Sequence, residues 1–226
     1  MNNIKTFENF NNQDIFTYIE NNDIKSVKNY IDAGYDLNKQ DDDSYTVLMY
    51  AIIYDKYEIF ELLLNAGANI NKQNNGGYTA LNLAVLKDNY KIVKLLLNAE
   101  ADIDKQTNDS GDTALINASF YGRIEIVKLL LNAGANIDKQ NEDGDTALII
   151  AANNDNNREI IELLLDYGAD EFILDDDNES FYYYLNDEDK EYFTQNYPTS
   201  VYNAISHNYK KSFTEFVKDH NIKIKK

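Results

Sequence analysis

An all-α solenoid of stacked helix pairs, joined by β-hairpin or turn loops and capped at both ends, is the fold this sequence predicts. Two motif series carry the prediction. "TVLMYA" from Thr46, "TALNLA" from Thr79, "TALINA" from Thr113 and "TALIIA" from Thr146 recur at steps of 33, 34 and 33 residues. "IDAGYDLNKQ" from Ile31, "LNAGANINKQ" from Leu64, "LNAEADIDKQ" from Leu97 and "LNAGANIDKQ" from Leu131 hold the same phase, and "LDYGADEFIL" from Leu165 is a frayed fifth copy. A fixed period of this length marks an array whose units cannot bury their apolar faces alone and must stack.

Each element of the unit follows from its residues. After "NKQ" or "DKQ" comes a turn cluster such as "NEDGD" at 141–145, where Asn, Asp and Gly tolerate positive backbone angles. Thr146 then stands where a helix N-cap belongs, its hydroxyl free to accept from an early backbone N–H. In "TALIIAA" the apolar Leu148, Ala151 and Ala152 lie three or four apart, giving a short first helix with a narrow small-residue face. A polar turn follows. The second helix, "RIEIVKLLLNAG", is apolar at Ile126, Val127, Leu129, Leu130 and Leu131 and ends at Gly134, suited to a left-handed C-cap. From Pro198 the pattern changes: Val201, Ile205, Tyr209, Phe213, Phe216 and Val217 fall at mostly helical spacing, predicting one or two amphipathic helices. Residues 197–226 carry six Lys against Glu215 and Asp219. That asymmetry predicts a tail that docks on the acidic end of the stack and covers its last apolar face, rather than a separate partner-binding helix or a free end.

Composition bounds the chemistry. A chain of 226 residues with 43% hydrophobic content can bury a sizeable core. Its net charge of -18 disfavours nucleic acid and anionic lipid, and suits a basic partner. The absence of Cys excludes disulfides and thiolate chemistry. The start, "MNNIKTFENFNNQDIF", lacks the apolar run of a signal peptide. The expectation is a soluble, cytoplasmic monomer with no cofactor, no metal, and neither nucleic acid nor membrane as partner.

These motifs resemble the ankyrin repeat family. The family pattern of an Asp-Gly turn tip, T-P-L-H-x-A, a short helix and a longer one ending in Leu-Leu-x-x-Gly-Ala-Asp matches four consecutive units from about Asp41 to Leu174. The resemblance implies repeats over about 41–73, 74–106, 107–140 and 141–174, an N-terminal capping repeat over 1–40 with polar Asn29 on its outer helix, a degenerate C-terminal capping repeat over 175–197 and the basic tail over 198–226. Ser180 keeps the phase, 34 after Thr146. Departures are local. The family Pro is Val47, Ala80, Ala114 and Ala147, and the family His, which links neighbouring repeats, is Met49, Asn82, Ile116 and Ile149. The inter-helix Gly survives as Gly122 and is otherwise Asp55, Asp88 and Asp155, while Glu100 replaces a C-cap Gly.

The family binds partners through turn tips and the exposed ends of its first helices, on a concave face. Carried over, those positions are Tyr45, Tyr78, Asp112 and Asp145, each before its Thr, and the pairs Ile53 and Tyr54, Leu86 and Lys87, Phe120 and Tyr121, Asn153 and Asn154. The row is apolar and aromatic through three units and polar in the fourth. Exposed Tyr and Phe supply much contact area at low entropic cost. The alternative is that these aromatics only cover their own helix ends. The resemblance implies a non-enzymatic interaction module or adaptor for a protein or peptide; the competing classes are a protein that blocks another protein's site and an enzyme with an unrecognised acidic site.

Nothing in the sequence favours the last. His207 and His220, the two histidines, both lie in the tail without a nucleophile constellation. "DDDNES" at 175–180 alternates Asp175 and Asp177 like a calcium loop, but lacks the central Gly and has Asn186 at the twelfth position, so it reads as a solvated turn. No glycine-rich phosphate loop occurs.

Overall fold

Threonine hydroxyls start the first helices and left-handed residues end them. In the computed structural model, which describes residues 14–154, 157–205 and 213–220, Thr46, Thr79, Thr113 and Thr146 are extended N-caps whose side chains accept the backbone N–H three residues on. The chain divides into two compact units, one through Asn75 and one from Gly76.

The first unit holds two helix pairs: α1 (Ile15–Glu20) with α2 (Ile24–Asp32), and α3 (Val47–Ile53) with α4 (Tyr57–Asn65). First helix packs on first helix and second on second, α1 against α3 and α2 against α4. Val47, Leu48, Ala51, Ile52, Ile59, Phe60 and Leu63 are fully buried between them. Tyr50 donates its hydroxyl to Asp41 at 2.7 Å, tying the turn tip to the helix it precedes.

In the second unit the pairs are α5 (Ala80–Leu86) with α6 (Tyr90–Asn98), α7 (Ala114–Phe120) with α8 (Ile124–Asn132), α9 (Ala147–Ala152) with α10 (Arg158–Asp166), and α11 (Phe181–Tyr184) with α12 (Asp187–Asn196). The first helices stack in the order α5, α7, α9, α11, and the second helices α6, α8 and α10 follow the same order. Small Ala84, Ala118 and Ala151 let the first helices approach, while Ile92, Val93, Leu96, Val127, Leu130, Ile160 and Leu164 fill the second layer. The tail forms α13 (Pro198–Ile205) and α14 (Phe213–Asp219). α13 packs on α11 and α12, and α14 on α13, burying Val201, Ala204 and Phe216. Tyr209 and His207 lie outside the described residues.

The helix ends follow one device. At Gly134 (φ 85°) the N–H bonds Leu131 O and that of Ala135 bonds Leu130 O, both at 3.0 Å, a Schellman motif that satisfies two orphan carbonyls. Glu100 makes the same two bonds, from its own N–H and that of Ala101, at φ 59°. Between the helices of a pair, Gly122 (69°), Asp55 (54°) and Asp88 (55°) also take the left-handed conformation expected from sequence; Asp155 lies outside the described residues.

Of the β-hairpin or turn loops expected between repeats, the structure has turns. Among the described residues the turn tips hold no strand, only the isolated antiparallel bridge Gln40–Thr46, because the helix cap begins one residue past the tip and leaves no length for a ladder. Ser180 keeps the extended N-cap backbone of its phase, yet its side chain makes no cap bond, and α11 stops after four residues where Leu185 turns extended.

Candidate functional site

The turn tips form a ladder, and it begins with glutamine. Gln140 Nε2 donates to Gly144 O (2.6 Å) across its own tip and to Leu174 O (3.1 Å) one repeat on. Gln106 does the same to Gly111 O and Gln140 O, and in the first unit Gln40 to Ser44 O and Gln73 O. Backbone bonds continue the ladder from tip to tip: Asn108 N–H to Gly76 O, Glu142 N–H to Ser110 O, Asp176 N–H to Asp143 O, at 2.8–3.1 Å. Below each tip, Asp104 accepts from Asn136 N–H and Asp138 from Asp170 N–H, again one repeat apart. These are the links between repeats that the missing family His left open. Met49 and Asn82, at that position, instead face back onto Thr46 and Thr79 and cap their own helices, and Asn82 Nδ2 is left buried without a partner.

Close approach of successive tips explains Gly144, at φ 77°: a Cβ there would lie 2.9 Å from Asp176 N. It also gathers acids. Asn141 donates from its Nδ2 to Asp112 Oδ1 (3.0 Å) and accepts at Oδ1 from Asp145 N–H (2.8 Å), so the residues before Thr113 and Thr146 share one asparagine. Asp145 is half-buried, and burial, then the charges of Asp175, Asp143, Asp112 and Asp176, push its carboxyl up to about 6. Asp175 is held in place by Asp177 N–H, Glu179 N–H and the Tyr184 hydroxyl; its carboxylate closes a turn, as expected, but is buried rather than solvated because these three donors replace water. Tyr184 and Asp175 reproduce the Tyr50–Asp41 contact of the first unit, and the Tyr184 phenol is pushed up first by that bond and then by burial.

At the opposite ends of the first helices stand the predicted pairs. Phe120 is the last residue of α7 and Tyr121 its C-cap. They are 50% and 48% exposed, and their rings meet edge to face at 4.9 Å. Neither is core. Asn154 Nδ2 donates to Phe120 O (3.3 Å), binding the end of α9 to the end of α7, and Asn153 is exposed beside it. Leu86 and Tyr78 are half-buried and Lys87 is exposed. In the first unit Tyr54 is exposed, with its hydroxyl on Glu20 (3.0 Å), Ile53 is half-buried, and Tyr45 packs edge to face on Tyr50 at 6.3 Å. The structure thus joins Asp112 and Asp145 through Asn141, and Phe120 with Tyr121 and Asn154.

Other charged groups make structural networks on the second helices. Arg158 bonds Glu188 (2.8 Å) and Asp189 and lies over the Tyr192 ring at 4.6 Å, while Tyr192 donates to Glu162. Lys128 bridges Glu125 and Glu159. His220 packs its ring on Phe216, 4.3 Å between centroids, with Nδ1 at 2.9 Å from Phe216 O. Among the described residues no group of three or more His, Asp or Glu is arranged to hold a metal ion, and no helix is long and apolar enough to cross a membrane.

The sequence pointed to the tips and the helix-end pairs through their phase. It did not single out the glutamines, although Gln40, Gln73, Gln106 and Gln140 recur at 33, 33 and 34 and that spacing was the available signal. No curated protein matches this chain by sequence. The model of ankyrin repeats in three copies matches residues 15–107 and again 100–175, the same span over which helix pairs stack and turn tips bond at one-repeat intervals. The chain belongs to the ankyrin repeat family.

Proposed function

We propose that this chain is a non-enzymatic interaction module that holds a protein or peptide against the turn tips and first-helix ends, the concave face of its family. Ankyrin repeats are generally protein–protein interaction modules, and the observation that carries the reading to these residues is the exposed Phe120–Tyr121 pair. Two aromatic rings packed edge to face at a helix end have few side-chain torsions to lose on binding and offer a large apolar area. Asp112, Asp145, Asn153 and Asn154 supply polar groups around that anchor, Tyr78, Leu86 and Lys87 extend the row one repeat earlier, and Tyr45, Ile53 and Tyr54 hold the same register in the first unit. The cellular site of action is taken to be the cytoplasm, with the chain acting as a monomer.

Affinity capture from lysate with the wild-type chain and with Phe120→Ser/Tyr121→Ser tests this. A partner retained by the wild type and lost from the variant, with unchanged circular dichroism and melting temperature, is the expected result. Equal capture by both would reject the reading.

A further inference from the structure

We infer that the occupant of the Phe120–Tyr121 surface is an extended, cationic protein segment, with an apolar side chain on the aromatic pair and a Lys or Arg about three residues away at the Asp112–Asp145 tips. The inference rests on the proposed binding role and goes further by fixing the partner's chemistry. Its first support is spacing. Asp112 precedes α7 and Phe120 ends it, and the helix Ala114–Phe120 has seven residues, so tip and aromatic pair lie about 10 Å apart at 1.5 Å per residue. An extended chain covers that span in about three residues.

The second support is charge complementarity. Asp112, Asp143, Asp175 and Asp176 act on Asp145 at successive tips, yet no ion pair among the described residues reaches any of the five; the paired cations there bond carboxylates of the second helices or Asp14, Asp88 and Asp102. Asp145 is partly withdrawn from water among these charges, so its ionised form lacks both full hydration and a counter-charge. An incoming ammonium or guanidinium supplies the counter-charge, and the aromatic faces accept its aliphatic stem or a neighbouring apolar group. An acidic or purely apolar segment would leave the repulsion in place, and this selects against it.

The test is a displayed library of random peptides of about nine residues, selected on the full chain at low salt, with enriched sequences resynthesised and titrated. Peptides bearing Lys or Arg about three residues from an aliphatic or aromatic residue are expected. Their affinity should fall about tenfold in Asp143→Asn/Asp145→Asn, and again as sodium chloride rises from about 50 to about 500 mM. Circular dichroism of each variant confirms that the fold persists. Enrichment of peptides without Lys or Arg that are nevertheless lost in Phe120→Ser/Tyr121→Ser would overturn the cationic occupant and leave the interface standing. Enriched peptides that bind Phe120→Ser/Tyr121→Ser as tightly as the wild type would overturn the interface as well. A library yielding no enriched peptide also counts against the inference.

Discussion

Glu100 and Asp145 each carry a local cost in this chain. Glu100 completes a Schellman motif at φ 59°, where Gly stands in the neighbouring repeats as Gly67 and Gly134. A side chain with a Cβ in that conformation costs about 1 kcal/mol. Glu100 is exposed, and Glu100→Gly should raise the melting temperature by about 2–4 °C; an unchanged or lower value would argue that the Glu side chain makes up the difference. At Asp145 the cost is electrostatic. Its folded carboxyl titrates at about 6 against an ordinary 3.8, so folding favours the protonated form. That contribution is fully present below about pH 4 and is lost as pH rises through 6. The shift corresponds to at most about 3 kcal/mol, and screening of a half-exposed group reduces this to about 1 kcal/mol. Asp145→Asn keeps the neutral shape at every pH, so it should stabilise the chain by that amount at pH 7.5 and not at pH 4. Melting curves across that range check the sign, and a gain that grows toward low pH would refute the assignment.

Among the elements, the turn tips depend most on side chains that no helix periodicity reports. Gln140 reaches two carbonyls, Gly144 O within its tip and Leu174 O beyond it, so one amide group fixes both the turn and the spacing to the next repeat. Removing it in Gln140→Ala leaves those carbonyls to solvent and should cost about 1 kcal/mol, since the residue is exposed. Gln140→Glu should cost more than Ala, because it turns an oxygen toward two carbonyl oxygens. Urea denaturation gives the order, and a Glu variant as stable as wild type would show that the bonds contribute nothing net. These links were hard to read from sequence for a physical reason. A helix declares itself by apolar spacing, whereas a glutamine bridging two backbones needs only a donor at the right place. The repeat phase, the Thr caps and the left-handed Asp55, Asp88 and Glu100 were legible because each is set by its local backbone; the approach of Asp145 to Asp175, 30 residues on, depends on how far apart the stack sets its tips.

For the molecule as a whole, a repeat stack is stabilised by nearest-neighbour faces, and the exposed terminal face is its weak point. The frayed last pair shows how this chain meets that demand. α11 is a four-residue helix and α12 carries Asp187, Glu188 and Asp189 in its first turn, so the outer side of the pair is covered by α13, with Val201 and Ala204 buried. The helices of the tail were legible from their amphipathic spacing and their docking from the tail's charge asymmetry, while the packing of α14 on α13 through Tyr202, Phe213 and Phe216 was not, because it depends on the angle at which the two helices meet. A chain ending at Tyr197 should therefore lose the contacts that shield Phe181, Leu185 and Phe193, all buried in the full chain. Each fully buried side chain of this size is worth about 1.5–3 kcal/mol, and partial exposure of three should cost several kcal/mol. Because coupling in the stack runs from neighbour to neighbour, amide exchange should accelerate in α11 and α12 first, then in α9 and α10, and least in α5 and α6. Exchange that accelerates evenly along the second unit, or not at all, would mean that the tail does not act as its terminal cap.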